Sequence, residues 1–131
     1  MRILHINKTA SSGGAGIATR RHCEAMRRVG IDSEMLSMRG KNDSFTKIYP
    51  TENFTLWEHL KESIPQRLMK PFIKQIAWNW EFRGVDVSQL EIVQQADLIY
   101  IHWVDGFLNY KTIEKILELG KPVVWFLHDM Y

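Results

Sequence analysis

The chain has little of several features that would otherwise narrow its class. It contains one cysteine in 131 residues, so no internal disulfide can form, which suits a reducing compartment. Lys plus Arg number 17 and Asp plus Glu 15, and a net charge of +2 is too small to predict a nucleic-acid partner. No apolar run approaches the ~20 residues that span a bilayer, and the opening MRILHIN turns polar too early for a secretory signal. We therefore expect a cytoplasmic protein that does not bind nucleic acid.

What is present is an ordinary globular composition. The hydrophobic fraction is 45% and the charged fraction 24%, and neither an internal repeat nor a low-complexity tract interrupts the 131 residues. We expect a single domain over residues 1–131.

Short branched-apolar runs alternate with helical patterns. The first helix, over about 15–29, should bury a stripe of Ile17, Ala18, Ala25, Met26 and Val29. The element order β-α-β-β-α-β-α-β predicts an α/β, Rossmann-like, open and mostly parallel sheet with helices on both faces and strand order 3-2-1-4-5. The predicted strands span 2–6, 33–38, 45–49, 98–102 and 123–127, and the other predicted helices include 86–95 and 110–119.

Three unusual segments follow strands that share one edge of this sheet. They are 7–16, 102–106 and 128–129. Open parallel sheets bind ligands beyond the carboxyl ends of their strands, where the strand order reverses. We expect these segments to converge on one site.

The first of these segments holds the glycine loop SSGGAG, at the start of the first helix. Gly13 and Gly14 permit close approach of backbone to a ligand, and the free N–H groups of a helix start favour an anion. We expect phosphate or diphosphate to bind here, although the spacing is neither GxGxxG nor a P-loop. A glycine turn needed only for chain geometry is the alternative.

Histidines mark the other two segments, as His102-Trp103 and His128-Asp129. His102 can bind a sugar hydroxyl or shuttle a proton, Trp103 can stack on a sugar face, and Asp129 can orient His128. Alternatively, His102 is satisfied by the backbone and Trp103 covers the core. Together with Asp105 these residues lack zinc-site spacing, so we expect no metal.

Other residues have plainer interpretations. We expect Cys23 to be a buried helix residue, His5 a core histidine, and His22 and His59 surface residues. Residues 57–83 are aromatic and basic, which suits helices packing on the sheet. Peripheral contact with the inner face of a membrane, or with a lipid-linked acceptor, is the alternative for this segment.

Taken together, MRILHIN, SSGGAGIATRRHCEAMRRVGIDSEML and ADLIYIHWVDGFLNYKTIEKILELGKPVVWFLHDMY resemble the amino-terminal domain of family 4 glycosyltransferases, of the capsule and exopolysaccharide type. The likeness covers residues 1–38 and 97–131, and Tyr131 stands where the family usually has Trp in His-Asp-Met-Trp.

The resemblance implies half of an enzyme with two facing Rossmann-like domains, the GT-B fold. Such an enzyme moves a sugar from a nucleotide-sugar to a saccharide or lipid-linked acceptor, generally with retention and without a metal. By matching position, Gly13 and Gly14 would approach the donor phosphates, and His128 would sit beside the transferred sugar.

The family's second domain, which holds most of the donor, has no counterpart in these residues. We therefore expect a fragment, inactive alone, whose apolar surface at 123–127 promotes self-association. Two other functions stay open: a stand-alone nucleotide- or cofactor-binding module, and a purely structural or interaction domain. The second strand ends near Met38-Arg39, without the acidic residue that suits the ribose of a dinucleotide.

Overall fold

A computed structural model describes residues 1–49 and 84–128 of the chain. The predictions for 53–83, His59 and Asp129 therefore lie outside the described residues. The strands are β1 (Arg2–Thr9), β2 (Asp32–Arg39), β3 (Thr46–Ile48), β4 (Leu98–Ile101) and β5 (Val123–Trp125), and the helices are α1 (Gly13–Arg28), α2 (Glu91–Gln94) and α3 (Tyr110–Glu118).

The five strands form one open sheet in the order β3-β2-β1-β4-β5. Every pairing is parallel, with Ile3 opposite Ser33 on one side and Leu98 on the other. The predicted α/β fold and its strand order are confirmed. The winding direction reverses between β1 and β4, so this is where the carboxyl ends of the strands leave room for a ligand.

Helices cover both faces of the sheet, as the sequence predicts. On one face, Leu4, Ile6, Ile99 and Ile101 pack with Ile116 of α3 in the larger core. On the other face, Met35 of β2 packs with Cys23 of α1 in a smaller cluster. The alternation of side chains along each strand separates these two cores.

The predicted buried stripe of α1 is wrong. Gly16, Thr19 and Cys23 are buried, whereas Ile17 is 44% and Val29 74% exposed, and Ala18 and Ala25 are exposed as well. The small residues at these three helix positions let the helix backbone lie close to β1. Hydrophobic periodicity misses such a contact, because it ranks glycine and threonine below isoleucine and valine.

The closest contact of α1 predicts a large stability difference between two neighbouring glycines. A Cβ on Gly16 would lie 2.5 Å from Thr9 Oγ1 and 2.9 Å from the Thr9 carbonyl oxygen. At Gly14, no described atom lies within 4 Å of such a Cβ. We expect Gly16→Ala to lower the free energy of unfolding by about 1–3 kcal/mol, and Gly14→Ala to change it by less than about 1 kcal/mol. Urea unfolding followed by circular dichroism measures both, and equal stability of the two variants would contradict the close contact.

The other elements differ from prediction mainly at their ends. Residues 86–90 do not join α2, because Asp86 Oδ1 accepts hydrogen bonds from the Ser88 amide at 3.0 Å and hydroxyl at 2.6 Å. Such a turn competes with the helix. In α3, Ile116 is buried, whereas Leu117 is exposed.

The strand β5 lies at one edge of the sheet. Val124, Trp125, Phe126 and Leu127 are all exposed. Self-association through these residues stays a prediction. Within the described ranges, no helix has the length and apolar character needed to cross a bilayer.

Candidate functional site

A pocket of about 560 Å³ lies at the carboxyl ends of β1 and β4. Its walls include the first turn of α1 with Gly13 and Gly14, the end of β1 with Lys8, the β4 loop with Trp103, and His128 beyond β5. Segments that are far apart in the chain meet here because parallel strands end at one edge of the sheet.

The glycine wall offers the start of a 16-residue helix. Gly13 has a φ of +71°, a conformation that side chains rarely adopt. Ser12 occupies the N-cap position, but its side chain makes no capping hydrogen bond within the described residues. The first turn contains no acidic residue. The N–H groups and the dipole of this turn therefore favour an anion in the pocket.

Lys8 adds a positive charge to the lining of the pocket. Its Nζ lies 3.7 Å from Asp105 Oδ2, and both side chains are partly exposed. An exposed ion pair of this length contributes little stability. Lys8 can therefore leave Asp105 and pair with a phosphate group of a ligand. It would then be a second contact for an anion, in addition to the start of α1.

Asn7, which the sequence grouped with the polar loop, holds the two rims of the pocket together. It is buried; its Oδ1 accepts from the Trp103 amide at 2.9 Å, and its Nδ2 donates to the Thr9 carbonyl at 2.7 Å. The Lys8 amide also donates to the Trp103 carbonyl at 2.7 Å. These bonds hold the end of β1 against the loop that follows β4. Lys8 and Trp103 therefore line the same pocket. The one sign of this role in the sequence is that Asn7, a polar residue, directly follows the first predicted strand, 2–6.

Three histidines form a hydrogen-bonded row that leads inward from the pocket. His128 Nε2 lies 2.9 Å from His102 Nδ1, and His102 Nε2 lies 3.0 Å from His5 Nδ1. His128 is half-buried at the pocket, whereas His102 and His5 are buried. Each bond needs one ring to donate and the other to accept, so the tautomers of the three rings are linked. His102 therefore orients His128.

His22 of α1 completes a cluster of four histidines, contrary to the prediction that it is a surface residue. It is half-buried, with its ring centroid 5.1 Å from that of His5. Its ring also meets Tyr100 of β4 edge-on, at 5.5 Å between centroids. The helix face that carries Thr19 and Cys23 turns His22 toward the sheet. The wrong prediction of the buried stripe of α1 and the wrong prediction for His22 therefore have the same cause.

Burial keeps the inner rings uncharged near neutral pH. It lowers the pKa of His5 to about 4, with a smaller contribution from the charge of His22. It lowers the pKa of His102 to about 3, with smaller contributions from His5, His128 and His22. Desolvation disfavours the charged imidazolium, and a second positive charge nearby adds to the effect.

The predicted site residues divide into two groups. Gly13, Gly14, Trp103 and His128 line the pocket together. His102 stands behind His128 and does not line the pocket. His5 is a core histidine, as expected.

The expectation that the chain binds no metal stays a prediction. The described part of the chain contains one group of side chains with metal-binding spacing, His5, His22 and His102, whose ligand atoms lie within 4.8 Å of one another. The candidate metal ligands considered from the sequence were instead His102, His128, Asp105 and Asp129.

Cys23 is buried, as predicted, and accepts a hydrogen bond from Ser33 Oγ at 3.2 Å. Burial raises the pKa of its thiol. A thiol that stays protonated is a poor nucleophile, so Cys23 has a packing role.

The fold places the chain in the class of Rossmann-like α/β domains, and a pocket lies at the switch point of the sheet. No family model matches the chain, and no curated protein or solved structure is significantly similar to it.

Proposed function

We propose that the chain forms the acceptor-side half of a glycosyltransferase, with the diphosphate of a nucleotide-sugar bound against Gly13 and Gly14. The proposal rests on one observation: an uncapped helix start, Lys8, Trp103 and His128 line the same pocket. It is supported by the resemblance of the flanking segments to family 4 enzymes. The partner of this half would be a second domain that holds most of the donor.

The reaction requires stabilisation of a leaving group. The bond from the anomeric carbon to the diphosphate oxygen breaks, and a bond to an acceptor hydroxyl oxygen forms. The hydroxyl proton passes to a water molecule, and the nucleoside diphosphate departs with one added negative charge. The α1 start and Lys8 are placed to stabilise that charge. Trp103, which is 39% exposed, offers a ring on which a sugar can stack.

In this proposal the acceptor is a saccharide or a lipid-linked saccharide of a cell-surface polysaccharide, and the site faces the cytoplasm. Retention of configuration belongs to the proposal through the resemblance alone.

Binding of UDP to the 131-residue chain tests the phosphate site. In a ¹⁵N NMR titration, we expect the amides of Gly13 and Gly14 to shift, with a dissociation constant in the millimolar range, about −4 kcal/mol. Gly14→Ala should weaken binding about tenfold while the chain stays folded, because the added methyl blocks the approach to the helix start. A Gly14→Ala chain that binds UDP as the unmodified chain does would contradict the site.

Two lysines give a matched control for charge. Lys8→Met should weaken UDP binding several-fold, whereas Lys111→Met, which removes an equal charge from an exposed position on α3, should not. Uridine, which lacks phosphate, should leave the glycine amides unshifted. NAD binding tighter than that of UDP and UDP-sugars would favour the stand-alone cofactor-binding module instead.

A further inference from the structure

We propose that His5, His22 and His102 form a binding site for a divalent transition-metal ion of the zinc type, behind the pocket. The three residues come from β1, α1 and β4, so the fold creates the group and the sequence spacing conceals it. This inference is independent of the proposed function, and it departs from the expectation of no metal.

The distances between the rings are close to those of a three-histidine site. Nitrogen ligands around a tetrahedral zinc ion lie about 3.3 Å apart, since each metal–nitrogen distance is about 2.0–2.1 Å. His5 Nδ1 and His102 Nε2 are 3.0 Å apart, and one nitrogen of His22 lies within 4.8 Å of its partners. Binding of a tetrahedral ion therefore requires the half-buried His22 ring to move toward the other two rings.

His5 also offers a second ligand atom. Its ring is fully buried, and its Nε2 has no hydrogen-bond partner within the described residues. A buried polar nitrogen without a partner is rare in folded proteins, and an ion bound through Nε2 instead of Nδ1 would supply that partner. Among the described residues the group consists of three imidazoles and no carboxylate, which suits zinc and similar ions rather than calcium or magnesium.

His128 supplies the outer contact that such a site needs. If His102 binds the ion through Nε2, its Nδ1 carries the proton and donates to His128 Nε2, 2.9 Å away. Histidine ligands commonly donate their second N–H in this way, which fixes the ring and its tautomer. The three-histidine set leaves a fourth position for water. The ion would then fix the row of histidines that ends at the pocket.

Titration of the chelator-treated 131-residue chain with ZnCl₂ against a chromophoric zinc chelator tests the proposal. We expect one ion per chain, with His22→Gln weakening affinity at least about tenfold. Arg21→Gln changes the exposed neighbour of His22 on α1 and serves as the matched control, with unchanged affinity. A folded chain that binds no zinc, or equal losses in the two variants, would overturn the proposal.

A spectroscopic measurement covers the case in which His22→Gln does not fold. Cobalt(II) added to the unmodified chain should give the intense visible absorption of a four-coordinate ion, and imidazole signals from His5, His22 and His102 should shift or broaden in NMR spectra. Weak absorption of the six-coordinate type, or perturbation of other histidines only, would reject the site.

Discussion

The metal-free protein is expected to lose about 5–6 kcal/mol of unfolding free energy as the pH falls from 6.5 to 4. The folded state keeps His5 and His102 uncharged, with pKa values of about 4 and about 3. In the unfolded chain both rings take up a proton near the ordinary value of 6.5. Between these limits the unfolded state binds more protons, so acid favours unfolding.

The size of the loss follows from the width of that pH window. Each pH unit contributes about 1.4 kcal/mol per group. The first proton that enters the cluster repels the second, because the two rings share a hydrogen bond of 3.0 Å. The folded state therefore takes up less than about one proton down to pH 4, whereas the unfolded chain protonates both rings. We count both histidines over about two units, which gives about 5–6 kcal/mol. Well above pH 6.5 both rings are neutral in both states, and their contribution to stability is complete.

Urea unfolding at half-unit pH steps, with a chelator present, measures this loss. In parallel, ¹⁵N-labelled imidazole signals should show both inner rings neutral at pH 5.5 in the folded protein. A stability that is flat from pH 4 to 7, or inner rings that titrate near 6.5, would contradict the desolvation argument. A loss of this size is a large part of the 5–15 kcal/mol that stabilises most domains.

Replacement of His128 by alanine is expected to lower the turnover of sugar transfer about a hundredfold. The proposed site places this imidazole beside the transferred sugar, where it donates or accepts a hydrogen bond in the transition state. Loss of one such preorganised partner costs a factor of about 10²–10³ in kcat. His102 holds the ring in place at 2.9 Å, so His102→Gln should cause a smaller loss.

Release of UDP or GDP from a panel of nucleotide-sugars, by the protein expressed from its own gene, measures this effect. His128→Gln should recover part of the activity, because glutamine keeps a hydrogen-bonding group. KM for the donor should change little, since the glycine wall and Lys8 remain. Unchanged kcat in a folded His128→Ala protein would exclude the assigned role, and a change in KM alone would assign His128 to binding only.

Residues 98–101 illustrate what a local pattern can and cannot predict. LIYI is apolar throughout and predicts a strand that is buried on both faces. The strand is confirmed as β4, but the burial is not. Only Ile99 and Ile101 are buried, whereas Leu98 and Tyr100 are half-buried on the α1 face. Tyr100 there stacks on His5, at 5.1 Å between ring centroids. The strand was predictable from its composition, but the side chains that pack against Tyr100 were not.

The sequence by itself determined the α/β class, the strand order and the edge at which Gly13, Gly14, Trp103 and His128 meet. These follow from element order and from the rule that parallel strands end at one edge. Only the tertiary structure decided which face of α1 packs on the sheet, and with it the grouping of His5, His22 and His102. That choice depends on how closely Gly16 approaches Thr9, a contact between backbones that side-chain periodicity does not encode.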